Sequence, residues 1–280
     1  MEVQLCHILR DKDVVDEYRI WVNTTDRNDI EYFKELRNSH PGWITLDEKF
    51  MKEAEVGGSK NIHRFFTSCR DPGTVYVRLD DDIVYIHPGS IKRLVESRLR
   101  QTQPLLVYGN IVNNAAITHL HQRTMAMVAP SKRYTGYACM DETGWKNPQF
   151  AQEVHNNFFR RFADGSLEAY MMNDWLLWGY ERVSINCISW LGEEFEKLNV
   201  VVGIDEEQWL SVEAPKKFGR PNVIAGNTLF CHYAFYTQRP TLDSDPSILK
   251  RYAEIAGAFE AVSKVRATDI LTASKYIANG

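Results

Sequence analysis

Short apolar runs alternate with helix-period segments through the first third of the chain. Tyr18-Arg19-Ile20-Trp21-Val22-Asn23 is rich in strand-forming residues and stops at the polar cluster Thr24-Thr25-Asp26. From Asp29 the positions Ile30, Phe33, Leu36 and Arg37 follow helical spacing, predicting a helix that ends before His40-Pro41-Gly42. Trp43-Ile44-Thr45-Leu46 reads as the next strand, and Gly57-Gly58-Ser59 introduces a helix closed by Asp71-Pro72-Gly73. Val75-Tyr76-Val77-Arg78-Leu79 is a strand that runs into Asp80, Asp81 and Asp82, with Ile83-Val84-Tyr85-Ile86 apolar again beyond them. Pro88 suits the first turn of a helix carrying Ile91, Leu94 and Val95, and Leu105-Leu106-Val107-Tyr108 forms another strand.

Strands alternating with helices predict βαβ units, and so an α/β fold around a mostly parallel central sheet flanked by helices. Such sheets bind ligands beyond the carboxyl ends of their strands, which is where the three aspartates fall. After about residue 111 the pattern changes. Phe150, Val154, Phe158 and Phe162 stand four apart and predict a helix with an aromatic stripe. The segment from Val183 to Trp190 alternates like a strand, and Asn227 to Tyr233 reads as another. From Asp245-Pro246 the positions Ile248, Leu249, Tyr252, Ile255, Phe259 and Val262 predict an amphipathic helix. The change of pattern divides the chain into two halves, 1–110 and 111–280, fused around one sheet.

Composition narrows the partners. With 44% hydrophobic and 25% charged residues, the 280-residue chain is of ordinary globular type. A net charge of -4 offers no overall attraction for nucleic acid. Cys6, Cys69, Cys139, Cys187 and Cys231 are dispersed without CxxC spacing, so reduced, mostly buried thiols are expected. No apolar stretch reaches the roughly 18 residues of a membrane span. The first residues lack the pattern of a secretory signal, and a cytoplasmic protein is the expectation.

Three consecutive carboxylates repel one another and gain most from a cation. Oxygen-rich sites of this kind suit Mg²⁺ or Mn²⁺, held by one or two carboxylates together with substrate phosphates. The competing interpretation is a solvated acidic turn. The apolar residues on both sides of the triplet favour the site. Val77-Arg78-Leu79-Asp80-Asp81-Asp82-Ile83-Val84-Tyr85-Ile86 resembles the DxD segment of GT-A glycosyltransferases, the nucleotide-sugar-dependent enzymes, and the later features resemble the inverting family 2 type. The resemblance implies that Asp82 ligates the metal, that Asp80 contacts nucleoside or metal, and that Asp81 sits near the ribose.

Downstream, Ile204-Asp205-Glu206-Glu207-Gln208 places acids at a helix start. A capping box of Asp205 with Gln208 explains them structurally. The resemblance instead implies that Asp205 or Glu206 is the general base that deprotonates the acceptor hydroxyl, although the usual Glu-Asp pair reads Asp-Glu-Glu here. His232 lies where several GT-A enzymes carry a further metal ligand; the alternative is a packed, hydrogen-bonded histidine. His119 and His121, two apart, would share a face if their segment were a strand, while His155 reads as interior. Lys60, Arg64 and Arg239 are candidates for balancing diphosphate charge, the first two near a helix start that can face phosphate. Of Trp175, Trp178 and Trp190, at least two are expected in the core.

Together these expectations describe a metal-dependent glycosyltransferase, inverting at the anomeric centre. It would move a sugar from a nucleoside-diphosphate sugar to a glycan or other hydroxyl acceptor. The rival functions are a nucleotidyltransferase acting on sugar phosphates and a non-catalytic carbohydrate-binding protein of the same fold.

Overall fold

The computed structural model describes residues 1–50 and 61–257. The chain begins with helix α1 (Glu2–Arg10), which buries Val3, Leu5 and Ile8. No expectation covered this helix, because nine residues hold too few turns for a clear period. Strand β1 (Tyr18–Trp21), helix α2 (Arg27–Ser39) and strand β2 (Ile44–Asp47) follow, and β1 pairs with β2 in parallel. Asp26 caps α2 by accepting a hydrogen bond from the Asn28 amide. This unit is the crossover the alternating pattern predicts, but its two strands form a sheet of their own.

After the short helix α3 (Ile62–Phe65), strands β3 (Val75–Leu79) and β4 (Ile83–Ile86) flank the aspartates, and helix α4 (Ser90–Arg100) leads to β5 (Val107–Val112). Helices α5 (Ala115–Arg123) and α6 (Pro148–Ala163) precede β6 (Trp175–Leu176) and β7 (Cys187–Leu191). Helices α7 (Gly192–Lys197), α8 (Glu206–Gln208) and α9 (Ala214–Phe218) lead to the long strand β8 (Val223–His232), followed by α10 (Arg239–Leu242) and α11 (Ser247–Ile255). Phe259 and Val262 of the expected C-terminal helix lie outside the described residues.

The larger sheet runs β3-β7-β5-β8-β4, with β6 beside β8. It is mixed, which corrects the expectation of a mostly parallel sheet. Among these strands only β5 and β8 pair in parallel; β3–β7, β5–β7, β4–β8 and β6–β8 are antiparallel. The physical reason is long-range pairing. β7 and β8 arrive from the second half of the chain and insert between β3 and β4, β7 running against β3 and β5 and β8 against β4. The neighbours are therefore not consecutive strands joined by crossovers. Strands from both halves of the chain share this sheet, with β7 and β8 interleaved between β3 and β4.

That order forces the sheet to curl. Laid flat, the four steps from β3 to β4 would span about 19 Å, whereas four Cα steps from Leu79 to Ile83 reach at most about 15 Å. Register shifts between Gly109 and Ile111 of β5, and between Ile83 and Tyr85 of β4, bend the strands. Gly109 is required at the first of these, since a Cβ there would stand 2.7 Å from a ring carbon of Phe230.

Two apolar clusters hold the sheet. One joins Ile20, Trp43 and Phe66 to Leu94, Val107, Trp190 and Phe195. The other sets Phe150, Val154 and Phe158, three of the four expected stripe positions of α6, against Val84, Tyr85, Leu229 and Tyr252, while Phe162 stays exposed. Trp190 is buried, but Trp175 and Trp178 are exposed, so the core takes one of the three tryptophans rather than two. Cys6 is half-buried, and the other four cysteines are buried and unpaired. Among the described residues no helix is long and apolar enough to cross a membrane.

Candidate functional site

The three aspartates form a tight turn in which the Ile83 amide donates to the Asp80 carbonyl. The turn bridges the end of β5. Asp80 donates its amide to the carbonyl of Asn186, just before β7, and the Asp82 carbonyl accepts from Tyr233, just after β8. Within the turn Asp80 and Asp82 are half-buried and converge on His232, so they turn inward, whereas Asp81 is exposed and turns outward.

The inward pair is closely surrounded. Asp80 Oδ1 lies 2.6 Å from Arg78 Nη2, and its Oδ2 accepts from Asn186 Nδ2 at 2.8 Å. Asp82 Oδ2 lies 3.3 Å from His232 Nε2 and 2.7 Å from Arg239 Nη2. The link between β5 and α5 supplies the supports through residues that sequence reasoning missed. Asn114 Nδ2 donates to Asn186 Oδ1, and His232 Nδ1 meets the carbonyl of Asn113 at 3.1 Å. Asn113 adopts the left-handed conformation (φ 61°), which asparagine tolerates, and this turns its carbonyl to the histidine. The Asn113-Asn114 pair after an apolar strand was the available signal.

With Nδ1 donating to a carbonyl, His232 presents Nε2 to Asp82. Burial opposes charge on this imidazole, but Asp82 and then Asp80 outweigh it and raise its pKa. Burial likewise favours the neutral form of Asp82, yet His232 and Arg239 outweigh it and hold the carboxyl below its ordinary range. At Asp80 burial prevails over Arg78 and, with repulsion from Asp82, raises the pKa.

Asp80, Asp82 and His232 together offer ligand atoms within 4.8 Å of one another. The two carboxylates suit Mg²⁺ or Mn²⁺, while the imidazole nitrogen is a donor that Zn²⁺, Fe²⁺ or Ni²⁺ also take. Neighbouring ligands of an octahedral cation with bonds of about 2.1 Å stand about 3 Å apart, close to the 3.3 Å between Asp82 Oδ2 and His232 Nε2. The donor set therefore fits such a cation.

A cavity of about 850 Å³ opens beside this group, between β1 and β3, and Asp80, Asp81 and Arg78 line its near side. Tyr18, Tyr76 and Trp21 contribute aromatic walls, and α1 contributes Gln4. Gln4 is buried; its Nε2 donates to the Asp80 carbonyl at 2.6 Å, and its Oε1 accepts from Tyr18 Oη at 2.9 Å. The N-terminal helix thus ties the aspartate turn to the cavity wall. The volume matches that of small-molecule sites.

The late acids separate. Asp205 caps α8 by accepting from the Gln208 amide and is clamped by both terminal nitrogens of Arg182 at 3.1 Å. Arg182 also holds Glu207, at 2.9 Å. Glu206 shares neither contact and is half-buried. Burial raises its pKa above 4.5, with Arg78 opposing and Glu207 and Asp205 reinforcing the shift. Arg78 therefore lies in the field of both Asp80 and Glu206.

The remaining candidates fall elsewhere. Lys60 lies outside the described residues, and Arg64 stacks over the ring of Phe50, 4.6 Å from its centroid. His119 and His121 sit on helix α5, not a strand, and turn to different partners, Thr135 and Asn110. His155 is interior, bonded to Tyr252 and the Tyr233 carbonyl. No family model matches the chain, and neither a curated protein nor a solved structure is found to resemble it.

Proposed function

We propose that the chain is a metal-dependent glycosyltransferase of GT-A architecture that transfers a sugar from a nucleoside-diphosphate donor to an acceptor hydroxyl with inversion. The observation that carries the proposal is the sharing of Asp80 between a group suited to a divalent cation and an 850 Å³ aromatic-walled cavity. A nucleoside in that cavity has its diphosphate end at the aspartate turn. Asp80, Asp82 and His232 would hold Mn²⁺ or Mg²⁺, and its charge would offset that developing on the departing diphosphate. Asp81, which lines the cavity with Asp80, would meet the ribose.

Glu206 is the better general base of the two candidates, because Asp205 is occupied by Arg182 and by the helix cap. Its raised pKa brings it nearer the range in which a base both accepts a proton readily and is deprotonated at neutral pH. In the transfer, the acceptor oxygen bonds to the anomeric carbon as its proton passes to Glu206. The bond from that carbon to the phosphate oxygen breaks, and its electron pair leaves with the diphosphate. Arg78 and Arg239 supply positive charge beside the leaving group.

The test is donor hydrolysis and transfer assayed across UDP-, GDP- and TDP-sugars with Mn²⁺. Asp82→Asn is expected to abolish activity and its metal dependence, and NMR of the product to show an inverted anomer. Retention of metal-dependent activity by Asp82→Asn would overturn the proposal.

A further inference from the structure

We propose that Arg239 is a built-in competitor for the cation site and, when displaced from Asp82, a ligand for the donor's diphosphate. The inference rests on the reading of Asp80, Asp82 and His232 as a cation site. Arg239 Nη2 sits 2.7 Å from Asp82 Oδ2, the same oxygen that lies 3.3 Å from His232 Nε2. A divalent cation bound to that oxygen at about 2.1 Å is strongly repelled by a guanidinium in contact with it. The two therefore exchange rather than coexist.

The arginine at the other carboxylate is built differently. Arg78 lies within strand β3, its side chain only 10% exposed, and Nη1 also donates to the Ile185 carbonyl. Arg78 is fixed. Arg239 begins the four-residue helix α10, and its side chain is 40% exposed. Its guanidinium lies 6.0 Å from the ring centroid of Tyr233, and Asp243 stands one helical turn ahead of it in sequence. An aromatic face and an acid at i+4 offer the displaced head a resting place at small cost. From there it remains beside the cation, where a planar fork of N–H donors can take two phosphate oxygens at once. One residue thus weakens binding of the bare cation and strengthens binding of the cation with its diphosphate, coupling the two.

The exchange predicts effects of opposite sign. Mn²⁺ binding is measured by the free-ion EPR signal, alone and with inorganic pyrophosphate, for the wild type, Arg239→Gln, Arg239→Lys and Asp82→Asn. Arg239→Gln is expected to bind Mn²⁺ alone about fivefold more tightly, the size expected of a partly exposed ion pair. It should bind the Mn²⁺-pyrophosphate pair less tightly than the wild type does. Arg239→Lys, which keeps the charge, should stay near the wild type for Mn²⁺ alone and lose part of the pyrophosphate gain. If Asp82→Asn loses Mn²⁺ while Arg239→Gln binds Mn²⁺ no better than the wild type, the exchange is refuted and the cation site stands. If Arg239→Gln strengthens both measurements, the diphosphate role is refuted. If Asp82→Asn binds Mn²⁺ as the wild type does, the cation site and the exchange fall together.

Discussion

Asp205 and Glu206 are neighbours in the chain, yet Arg182 clamps only the first of them. Exchanging them experimentally should expose the difference. Asp205→Ala is expected to cost about 1 kcal/mol of stability through the lost helix cap, read from denaturant unfolding, with a smaller effect on turnover. Glu206→Gln should leave the unfolding midpoint nearly unchanged and reduce kcat for transfer by a hundredfold or more, within the usual range of roughly 10²–10⁴ for a general base. The pH profile follows from the direction of the shift. Because the folded Glu206 carboxyl titrates above 4.5, kcat/KM should fall on the acid side with a midpoint above that value. A midpoint at or below 4.5, or a profile unchanged in Glu206→Gln, would exclude this residue as the base. The identity of these acids as candidates could be read from the chain. Which one is engaged elsewhere depends on Arg182, some twenty residues away in sequence, which no local pattern connects to them.

Among the elements, β3, β4 and the turn between them were legible because each is a short apolar run interrupted by charge. Their pairing was not. β3 lies against β7 and β4 against β8, strands drawn from more than a hundred residues downstream. Gly109 marks where this arrangement is most constrained. Gly109→Ala should destabilise the protein by about 1–3 kcal/mol through overpacking against Phe230; an unchanged melting curve would show that the sheet relaxes there. Of the stripe expected on α6, Phe150, Val154 and Phe158 are buried as their spacing of four implies, whereas Phe162 is 39% exposed at the helix end. Phe158→Ala is expected to cost about 3–5 kcal/mol by denaturant titration. The pairing of His119 and His121 was conditional on a strand, and α5 removes it: two positions apart on a helix, the histidines turn to different partners.

For the molecule as a whole, the cavity lies between the small parallel sheet and the edge of the large one, with Tyr18 on one side and Arg78 and Asp80 on the other. A ligand bound there contacts both sheets and binds only the folded chain, so it should raise the melting temperature. Mn²⁺ with a nucleoside diphosphate at a hundred times its Kd corresponds to about 2.7 kcal/mol. Differential scanning fluorimetry with UDP, GDP and TDP would rank the bases, and no shift with any of them would argue against a nucleotide cavity.

The chain's own pattern determined the α/β class, the acidic turn after β3, the capped start of α8 and the aromatic face of α6. Each depends on residues within a turn or two of one another, where periodicity and capping act. Tertiary structure decided the mixed sheet, the cavity and the grouping of Asp80, Asp82 and His232. It also decided the supports from Asn113, Asn114 and Asn186 and the seat of Arg239 on Asp82. These contacts join residues from about seventy to over a hundred and fifty positions apart. They are set by which strands lie side by side in the curled sheet, and local sequence carries no record of that adjacency.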